Sequence, residues 1–213
     1  DRHHVFRILR AVKNRFGSTN EIGVFEMRSA GLTPVENPSE LFIADRNVLS
    51  SGSVVVCSME GSRPMLAEIQ ALVTPTSYAN PQRTATGFDA KRLQMLLAVL
   101  EKRIGLGLSN CDVFVNVTGG LKLTEPAADL AIAAAVTSSF RDIPVPSQAM
   151  ICGEVGLGGE IRAVSQLDAR LAETSRLGFN QAFVPSRGHR EAIPAKLECV
   201  ALADLTDMMD RLF

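Results

Sequence analysis

The chain has 213 residues, of which 46% are hydrophobic, enough to bury one large domain or one domain with an appended unit. Its formal net charge is −1, so any surface for nucleic acid must be a local patch. No stretch approaches the roughly 20 apolar residues of a membrane span and no signal peptide is visible, so we expect a cytoplasmic protein. The four cysteines form no CxxC pair and lie in or beside apolar runs, which indicates buried free thiols rather than a metal site.

The first 52 residues predict a small unit followed by a linker. Residues 2–13 carry apolar side chains at helical spacing and read as the end of a helix, and the KNRFG run that follows indicates a loop. Residues 22–27 read as a strand, and residues 32–35 predict a short partner strand beyond a turn at Gly31. Residues 36–52 are rich in Asn, Pro, Ser and Asp, which predicts a linker with one helical turn.

From residue 53 onwards, strand and helix patterns alternate, which is typical of an α/β or α+β fold with a mixed sheet. Residues 53–59 are continuously apolar and predict a central strand, whereas residues 65–73 alternate in part and predict a half-exposed strand. Residues 74–87 read as a polar loop. The other predicted strands are residues 112–117, 149–155, 160–164, 181–184 and 199–202, and the other predicted helices are residues 89–104, 166–177 and 205–212.

The stretch from residue 112 to residue 139 predicts a strand, a glycine turn and a helix. Alternating valines give the strand one buried face, and the paired glycines at 119–120 tolerate the positive φ of a turn. Pro126 suits the first turn of the helix, whose many alanines allow neighbouring elements to approach closely. The residue presented at the start of this helix is Ala127, which has no reactive group.

Three stretches resemble RadA-type (Sms) bacterial DNA-repair proteins: KNRFGSTNEIGVFEM at residues 13–27, EGSRPMLAEIQALV at residues 60–73 and DVFVNVTGG at residues 112–120. The resemblance covers essentially the whole chain and implies a C-terminal piece of a longer protein. It implies that residues 1–35 are the C-terminal end of a RecA-like ATPase core. Residues 36–52 would be a linker, and residues 53–213 a Lon-protease-like domain of the ribosomal protein S5 domain 2-like type.

The same resemblance implies an ATP-driven motor, a hexameric ring, that binds single-stranded or branched DNA and promotes branch migration beside a recombinase of the RecA type. The Lon-like domain would serve it as a scaffold for oligomerisation and DNA binding. Family members carry a Walker A loop for ATP and Mg²⁺ and an N-terminal zinc finger. No GxxxxGK[ST] run is present in this sequence, so we expect that the chain alone is not an enzyme and holds no cofactor.

Lon proteases use a serine–lysine pair, and the resemblance extends to both positions. The run EPAAD puts Ala127 at the position of the serine, and the run SQLDARL puts Asp168 at that of the lysine. Alanine cannot attack a carbonyl carbon, and a carboxylate cannot replace the neutral amine that activates the serine, so we expect an inactive peptidase domain. Lys122 and Thr124 are a weaker substitute pair, because a threonine beside a helix start is more often a cap.

The KNRFG segment carries two candidate functional cations, Lys13 and Arg15. By the resemblance, both sense ATP in trans by reaching the nucleotide of a neighbouring subunit, where a cation stabilises charge on the transferred phosphoryl group. Asn14, Phe16 and Gly17 are predicted to set the shape of the segment. From spacing alone a solvated basic helix end is the better explanation, and the full KNRFG run reverses that choice.

Basic residues are also enriched between residues 82 and 103. Arg83, Lys91 and Arg92 lie there in a predicted loop and at a helix start, where cations contact DNA phosphates without reading sequence. Lys122, beside the glycine turn, is a further candidate for DNA binding. Without the resemblance, ordinary solvated surface explains these cations better. Two other functions stay open: a residual Lon-type peptidase, and an assembly domain without DNA contact.

Overall fold

The structure is a computed structural model that describes residues 6–10, 15, 22–28, 31–35, 39, 43, 50–78, 80–188 and 194–213. Within these residues the fold is mixed α/β, which confirms the class expected from the alternating patterns. The strands are β1 (Phe6–Arg10), β2 (Ile22–Arg28), β3 (Gly31–Pro34), β4 (Ser53–Glu60), β5 (Arg63–Pro75), β6 (Arg83–Thr86), β7 (Cys111–Val117), β8 (Ala149–Ile151), β9 (Glu154–Val155), β10 (Ile161–Arg162), β11 (Gln181–Pro185) and β12 (Glu198–Leu202). The helices are α1 (Ala90–Ile104), α2 (Asp129–Arg141), α3 (Leu167–Arg176) and α4 (Leu205–Leu212).

The largest sheet has seven strands in the order β12-β11-β8-β4-β5-β7-β6. The strands β12, β11, β8 and β4 run parallel, β5 is antiparallel to β4 and β7, and β6 is parallel to β7. β4 is therefore the middle strand, as its unbroken apolar run predicts. In this register Leu72 of β5 lies opposite Phe114 of β7, so the two side chains share one face of the sheet.

Helices cover the two faces of this sheet unequally. α2 packs on β4, β5 and β7, α1 packs beside it on β6, and α3 packs on β4 and β5. Residues 53–58 are all buried, so α2 and α3 cover opposite faces of β4. On one face of β5, Glu68 is buried whereas Gln70 and Leu72 are exposed. No helix therefore covers that face beyond Glu68 in the part of the chain that the structure describes. The half-exposed character predicted for this strand is therefore correct only for its second half.

α2 is the most deeply buried helix in the part of the chain that the structure describes. Its residues 129–138 are all buried, and its alanines allow the close packing on the sheet that the sequence predicts. A 3-10 turn, Pro126–Ala128, precedes the helix and places the proline in the first turn, as expected. The glycines at 119–120 have φ values of 68° and 69°, which confirms the predicted turn.

Two serine hydroxyls from distant segments accept backbone N–H groups of β5 at positions where no neighbouring strand pairs with them. β5 pairs with β7 only from Ile69 onwards, and before that point the N–H of Leu66 donates to Ser39 Oγ at 3.1 Å. On the other edge, beyond the start of β4, the N–H of Val73 donates to Ser139 Oγ at 2.9 Å. Unpaired backbone groups are costly in a buried sheet, so both hydroxyls stabilise the strand.

The helix expected over residues 2–13 is wrong for the part that the structure describes. Residues Phe6–Arg10 form β1, which pairs antiparallel with β2 and places Arg10 opposite Ile22. Arg7 and Leu9 are both exposed, which fits the two-residue repeat of a strand. A segment of only five residues fits this repeat and a helical repeat equally well. Pairing with a distant strand decided between the two patterns. The strand pair expected beyond this segment is confirmed as β2 and β3.

Two further boundaries differ from the expected ones. Part of the loop expected at residues 74–87 forms β6, because its backbone pairs in parallel with β7. The strand expected at residues 149–155 divides into β8 and β9 at Gly153, whose N–H donates to the carbonyl of Ala127 at 2.9 Å. A Cβ at Gly153 would lie 2.9 Å from a side-chain carbon of Ile161, so glycine permits this close crossing.

The other elements from residue 89 onwards lie where the sequence predicts them. The helices α1, α3 and α4 are confirmed, and β10 returns antiparallel to β9 across a glycine-rich turn. The strands β11 and β12 close the parallel side of the sheet. The linker expected at residues 36–52 lies mostly outside the described residues, and the expected domain boundaries stay a prediction.

Gln166 lies immediately before α3 at φ 53° and ψ 39°, with an exposed side chain and no side-chain capping hydrogen bond. We expect Gln166→Gly to raise the free energy of unfolding by about 1 kcal/mol, because glycine removes the Cβ clash of the left-handed region. Urea denaturation measures the difference. The matched control is Gln148→Gly, at an exposed turn residue outside that region, which should lower stability instead. A loss of stability at both positions would contradict the explanation.

Candidate functional site

The two positions that the resemblance assigns to a serine–lysine pair hold Ala127 and Asp168. Ala127 is buried in the 3-10 turn before α2, and Asp168 lies in the first turn of α3. Thr124 does not cap the turn as expected, because Glu125 occupies the N-cap position and no side chain makes a capping hydrogen bond there. This site therefore presents neither the nucleophile nor the amine base of a Lon-type pair.

A buried ion pair between Arg170 and Glu125 lies beside these two positions. The guanidinium donates from Nη1 to Oε1 at 2.7 Å and from Nη2 to Oε2 at 2.6 Å. Nη1 also donates to the carbonyl of Cys57 at 2.5 Å, and Nε donates to that of Ser165 at 3.0 Å. Glu125 Oε1 accepts the N–H of Met59 at 2.7 Å. The pair thus joins α3, β4 and the turn before α2.

Both members of this pair are charged at neutral pH. Burial opposes the charge of Glu125, but the hydrogen bonds and the charge of Arg170 outweigh it and hold the pKa of the carboxyl below its ordinary value. Burial likewise opposes the charge of Arg170, and Glu125 outweighs it, so the pKa of the guanidinium is raised. Burial also raises the pKa of the neighbouring Cys57 thiol well above its usual value, so this thiol stays protonated.

Sequence reasoning missed the Arg170–Glu125 pair. The signal for Arg170 was present in the sequence, because Leu167, Arg170, Leu171 and Thr174 recur at helical spacing and all four are buried in α3. A charged residue on a buried helix face requires a partner, but the pattern does not say which carboxylate supplies it. The expectation of buried thiols is confirmed for Cys57, Cys111 and Cys152, whereas Cys199 is half-buried.

A second ion pair joins Arg92 of α1 to Asp129 of α2. Arg92 Nε donates to Asp129 Oδ1 at 2.5 Å, and Nη2 donates to Oδ2. Asp129 is fully buried and also accepts the N–H of Val155 at 3.2 Å. The hydrogen bond to Asp129 raises the pKa of Arg92. The ion pair holds the Arg92 guanidinium in place. The side chain is still 31% exposed, so the guanidinium also reaches solvent.

A cavity of about 380 Å³ brings together two of the four predicted DNA-binding residues, Arg92 and Lys122. Lys122 is exposed between two buried leucines, which direct its side chain outwards. The rest of the lining combines apolar and polar groups, and Asp89 supplies an opposing charge at the start of α1: Gly87, Phe88, Asp89, Leu123 and Thr124. The two cations of this cavity, Arg92 and Lys122, would attract a phosphate group. The carboxylate of Asp89 would repel the same group and weaken that attraction.

The other two predicted DNA-binding residues lie outside this cavity. Lys91 is exposed in the first turn of α1, next to Arg92. Arg83 begins β6, three residues before the cavity end of that strand, roughly 10 Å away at the rise of an extended chain. Arg83 Nη2 donates to the carbonyl of Leu108 at 3.5 Å. The cavity thus brings together Arg92 and Lys122, while Lys91 lies beside Arg92 in α1 and Arg83 lies apart.

The KNRFG segment is described at one residue, Arg15, which is exposed in the chain between β1 and β2. Lys13, Asn14, Phe16 and Gly17 lie outside the described residues. The roles assigned to these five residues by resemblance therefore stay predictions.

Metal-binding clusters and membrane-spanning helices are both absent from the residues that the structure describes. No group of three or more His, Cys, Asp or Glu side chains there is arranged to hold a metal ion. No helix in the described ranges is long and apolar enough to cross a membrane.

Comparison with known proteins finds a matching family and close relatives. The family described as subunit ChlI of Mg-chelatase matches residues 82–188, half of the chain. A protein of Bacillus subtilis is 52% identical over 98% of the chain, and one of Halalkalibacterium halodurans is 50% identical over 99%. One of Streptococcus pneumoniae is 49% identical over the whole chain. All three are named DNA repair protein RadA, and the chain covers 46%, 46% and 51% of their respective lengths.

The chain therefore belongs to the family described as subunit ChlI of Mg-chelatase, and its relatives identify it as a member of the RadA family. It spans about half the length of the curated relatives that it matches. The relatives named DNA repair protein RadA confirm the resemblance drawn from the three sequence stretches.

The Arg170–Glu125 pair makes stability depend on pH in a defined direction. Because the pKa of Glu125 is lowered in the folded state, the pair stabilises fully above the unfolded pKa of a glutamate, about 4.3, and its contribution is lost as pH falls through the lower folded pKa. We expect Glu125→Gln to lower the free energy of unfolding at pH 7 by about 3 kcal/mol, since Arg170 keeps its buried charge without a partner.

Urea denaturation from pH 7 down to acid measures both effects. The difference between Glu125→Gln and the unmodified protein should begin to shrink below about pH 4.3, where the unfolded chain takes up a proton at Glu125, and should continue to shrink down to the lower pKa of the folded state. The matched control is Arg176→Met, which breaks the exposed pair with Glu173 and should cost at most about 1 kcal/mol. A penalty for Glu125→Gln that does not vary with pH would rule out the ion pair as its cause.

Proposed function

We propose that the chain is the C-terminal part of a DNA repair protein that works as an ATP-driven, ring-forming motor on DNA. The observation that carries this proposal is identity of about 50% over nearly the whole chain with proteins named DNA repair protein RadA. We infer that the longer protein forms a hexameric ring and promotes branch migration in recombinational repair, together with a recombinase of the RecA type.

Residues 53–213 act in this proposal as a Lon-like domain of the S5 domain 2-like type that has lost peptidase activity and serves as a scaffold. Two features of the site support it. The positions of the peptidase pair hold Ala127 and Asp168, which cannot form an acyl-enzyme. The charged groups beside them, Arg170 and Glu125, hydrogen-bond to each other and to the backbone, so they hold elements together.

Lys13 and Arg15 carry the proposed ATP sensing in trans. Arg15 is exposed between β1 and β2, where a neighbouring subunit of a ring has access to it. A guanidinium suits contact with phosphoryl oxygens because its donors form a planar fork. ATP and Mg²⁺ would be bound by the ATPase core of the longer protein, and zinc by its N-terminal finger.

The proposed DNA contact uses Lys122, Lys91 and Arg92 around the cavity at the start of α1, with Arg83 along the edge strand β6. These cations would bind phosphates of single-stranded or branched DNA without reading its sequence. The guanidinium of Arg92 has a fixed position because it pairs with Asp129. Lys122 is exposed, and its flexible side chain can adjust to the position of a phosphate.

Two other functions are distinguished by direct assays. In the first, a Lon-type peptidase keeps residual activity through Lys122 and Thr124, which line the same cavity. Hydrolysis of casein by the purified protein, abolished in Lys122→Met, would support it. In the second, residues 53–213 form an assembly domain that makes no DNA contact. Ring formation with unchanged DNA affinity in the variants below would support that function.

We expect Lys122→Met to weaken binding to a single-stranded oligonucleotide and to lower the slope of log affinity against log salt by about 0.7, because one phosphate contact is lost. Fluorescence anisotropy across a salt series measures both quantities. Lys122 is preferable to Arg92 as a test, since replacing Arg92 also strips Asp129 of its buried partner.

The matched control for Lys122→Met is Lys196→Met. Lys196 is an exposed lysine just before β12, and β12 and β6 form opposite edges of the seven-stranded sheet. Affinity should stay unchanged in the control. Equal slopes in the unmodified protein and both variants would remove Lys122 from the proposed interface.

For the ATP-sensing role, we expect Lys13→Ala in the full-length protein to abolish branch migration while leaving folding intact, because the residue acts on the nucleotide rather than on the fold. A strand-displacement assay on a branched DNA substrate measures the activity, and circular dichroism checks the fold. Normal branch migration by this variant would remove the assigned role of Lys13.

A further inference from the structure

Ser39 lies in the connection between the three-stranded sheet and the seven-stranded sheet, and it is buried with an exposed fraction of 1%. Its hydroxyl donates to Glu173 Oε1 of α3 at 2.9 Å and accepts the N–H of Leu66 of β5 at 3.1 Å. A serine in a Pro- and Asn-rich stretch predicts a solvated linker, yet this hydroxyl bonds to one strand of the larger sheet and to one helix packed on that sheet. The connection is therefore attached to that sheet at Ser39.

Glu173 is held in place for this contact from its other side. Arg176 donates to Glu173 from Nε at 2.8 Å and from Nη2 at 2.9 Å. The carboxylate thereby has a fixed orientation, and the Ser39 hydroxyl meets an acceptor that is already positioned. A hydrogen bond to a charged acceptor is stronger than one between neutral groups, so the contact is a firm one.

Apolar contacts on both sides of Ser39 continue the attachment. Val35 and Ile43, four residues before and after it, pack against the hydrophobic core. Val24 of β2 is buried in the same core, and its carbonyl accepts the N–H of Val35 at 2.8 Å. A chain of contacts therefore runs from the three-stranded sheet through the connection to β5 and α3.

We propose that Ser39 is a positioning residue that fixes the connection to β5 and α3, so that a displacement of the three-stranded sheet is passed to the seven-stranded sheet. The inference rests on the proposed function in one respect, because nucleotide sensed at Lys13 and Arg15 would supply the displacement. Closely packed elements transmit small displacements because there is no free volume between them. A solvated, flexible linker would not transmit such displacements. Ser39 thus couples nucleotide state to the scaffold.

The test compares hydrogen exchange in the full-length protein and its Ser39→Ala variant, each with ADP and with a non-hydrolysable ATP analogue. In the variant, the amide of Leu66 should exchange about 5- to 10-fold faster, the effect of losing one hydrogen bond. The difference in exchange of α3 between the two nucleotides should appear in the unmodified protein and disappear in the variant. ATP hydrolysis and DNA affinity should not change.

Two further variants separate coupling from simple loss of packing. Ser50→Ala removes an exposed hydroxyl that donates to the neighbouring carbonyl of Ser51, and this variant should behave like the unmodified protein. Glu173→Gln keeps an oxygen acceptor for Ser39 and should preserve the nucleotide-dependent difference. Unchanged exchange at Leu66 in Ser39→Ala, or a nucleotide-dependent difference at α3 that survives in that variant, would overturn the inference.

The outcome also separates this inference from the proposed function. Absence of DNA binding and of branch migration by the unmodified protein would refute the proposed function. A nucleotide-dependent difference at α3 that requires Ser39 would still support the coupling in that case. A protein that shows no such difference at α3 refutes the coupling whether or not it migrates branches.

Discussion

The ion pair between Arg170 and Glu125 is the interaction on which the centre of this fold depends. Arg170 is fully buried, and a buried guanidinium is tolerable only when a carboxylate and further acceptors replace its water. Here one carboxylate and two backbone carbonyls do so, and they come from three elements that are distant in sequence. The position of α3, the course of β4 and the turn before α2 are therefore set together.

The same pair shows that these charged groups are engaged with one another and with the backbone. Ala127 and Asp168 lie two residues from Glu125 and Arg170, respectively. A catalytic site needs groups that are poised and incompletely satisfied, and Arg170 donates four hydrogen bonds within the protein. The arrangement thus favours a structural role for Arg170 and Glu125.

Burial divides the basic residues of the chain by role. Arg170 is structural because its partners enclose it. Arg92 is intermediate, since Asp129 fixes one side of its guanidinium and the other side borders a cavity. Lys91 and Lys122 are exposed, and their charges are available to an external phosphate. The sequence grouped Arg92 with Lys91 because both lie in the same stretch enriched in basic residues, and only the position of Asp129 separates them.

The sequence by itself determined most of the elements, because hydrophobic periodicity records which face of a helix or strand is buried. α1, the central strand β4 and the alanine-rich α2 with its glycine turn follow from that pattern. The KNRFG run and two other stretches also determined the family. The prediction of a helix where β1 lies was wrong. Five residues fit both the helical and the strand periodicity, and pairing with β2 decided between them.

Tertiary structure alone decided the contacts between residues far apart in sequence. The pairing of Arg170 with Glu125, of Arg92 with Asp129 and of Ser39 with Glu173 spans 45, 37 and 134 residues. A sequence pattern reports local burial, but it carries no information about which distant atom satisfies a buried polar group. That choice depends on how the sheet and helices bring the partners within hydrogen-bonding distance, and this is a property of the folded chain.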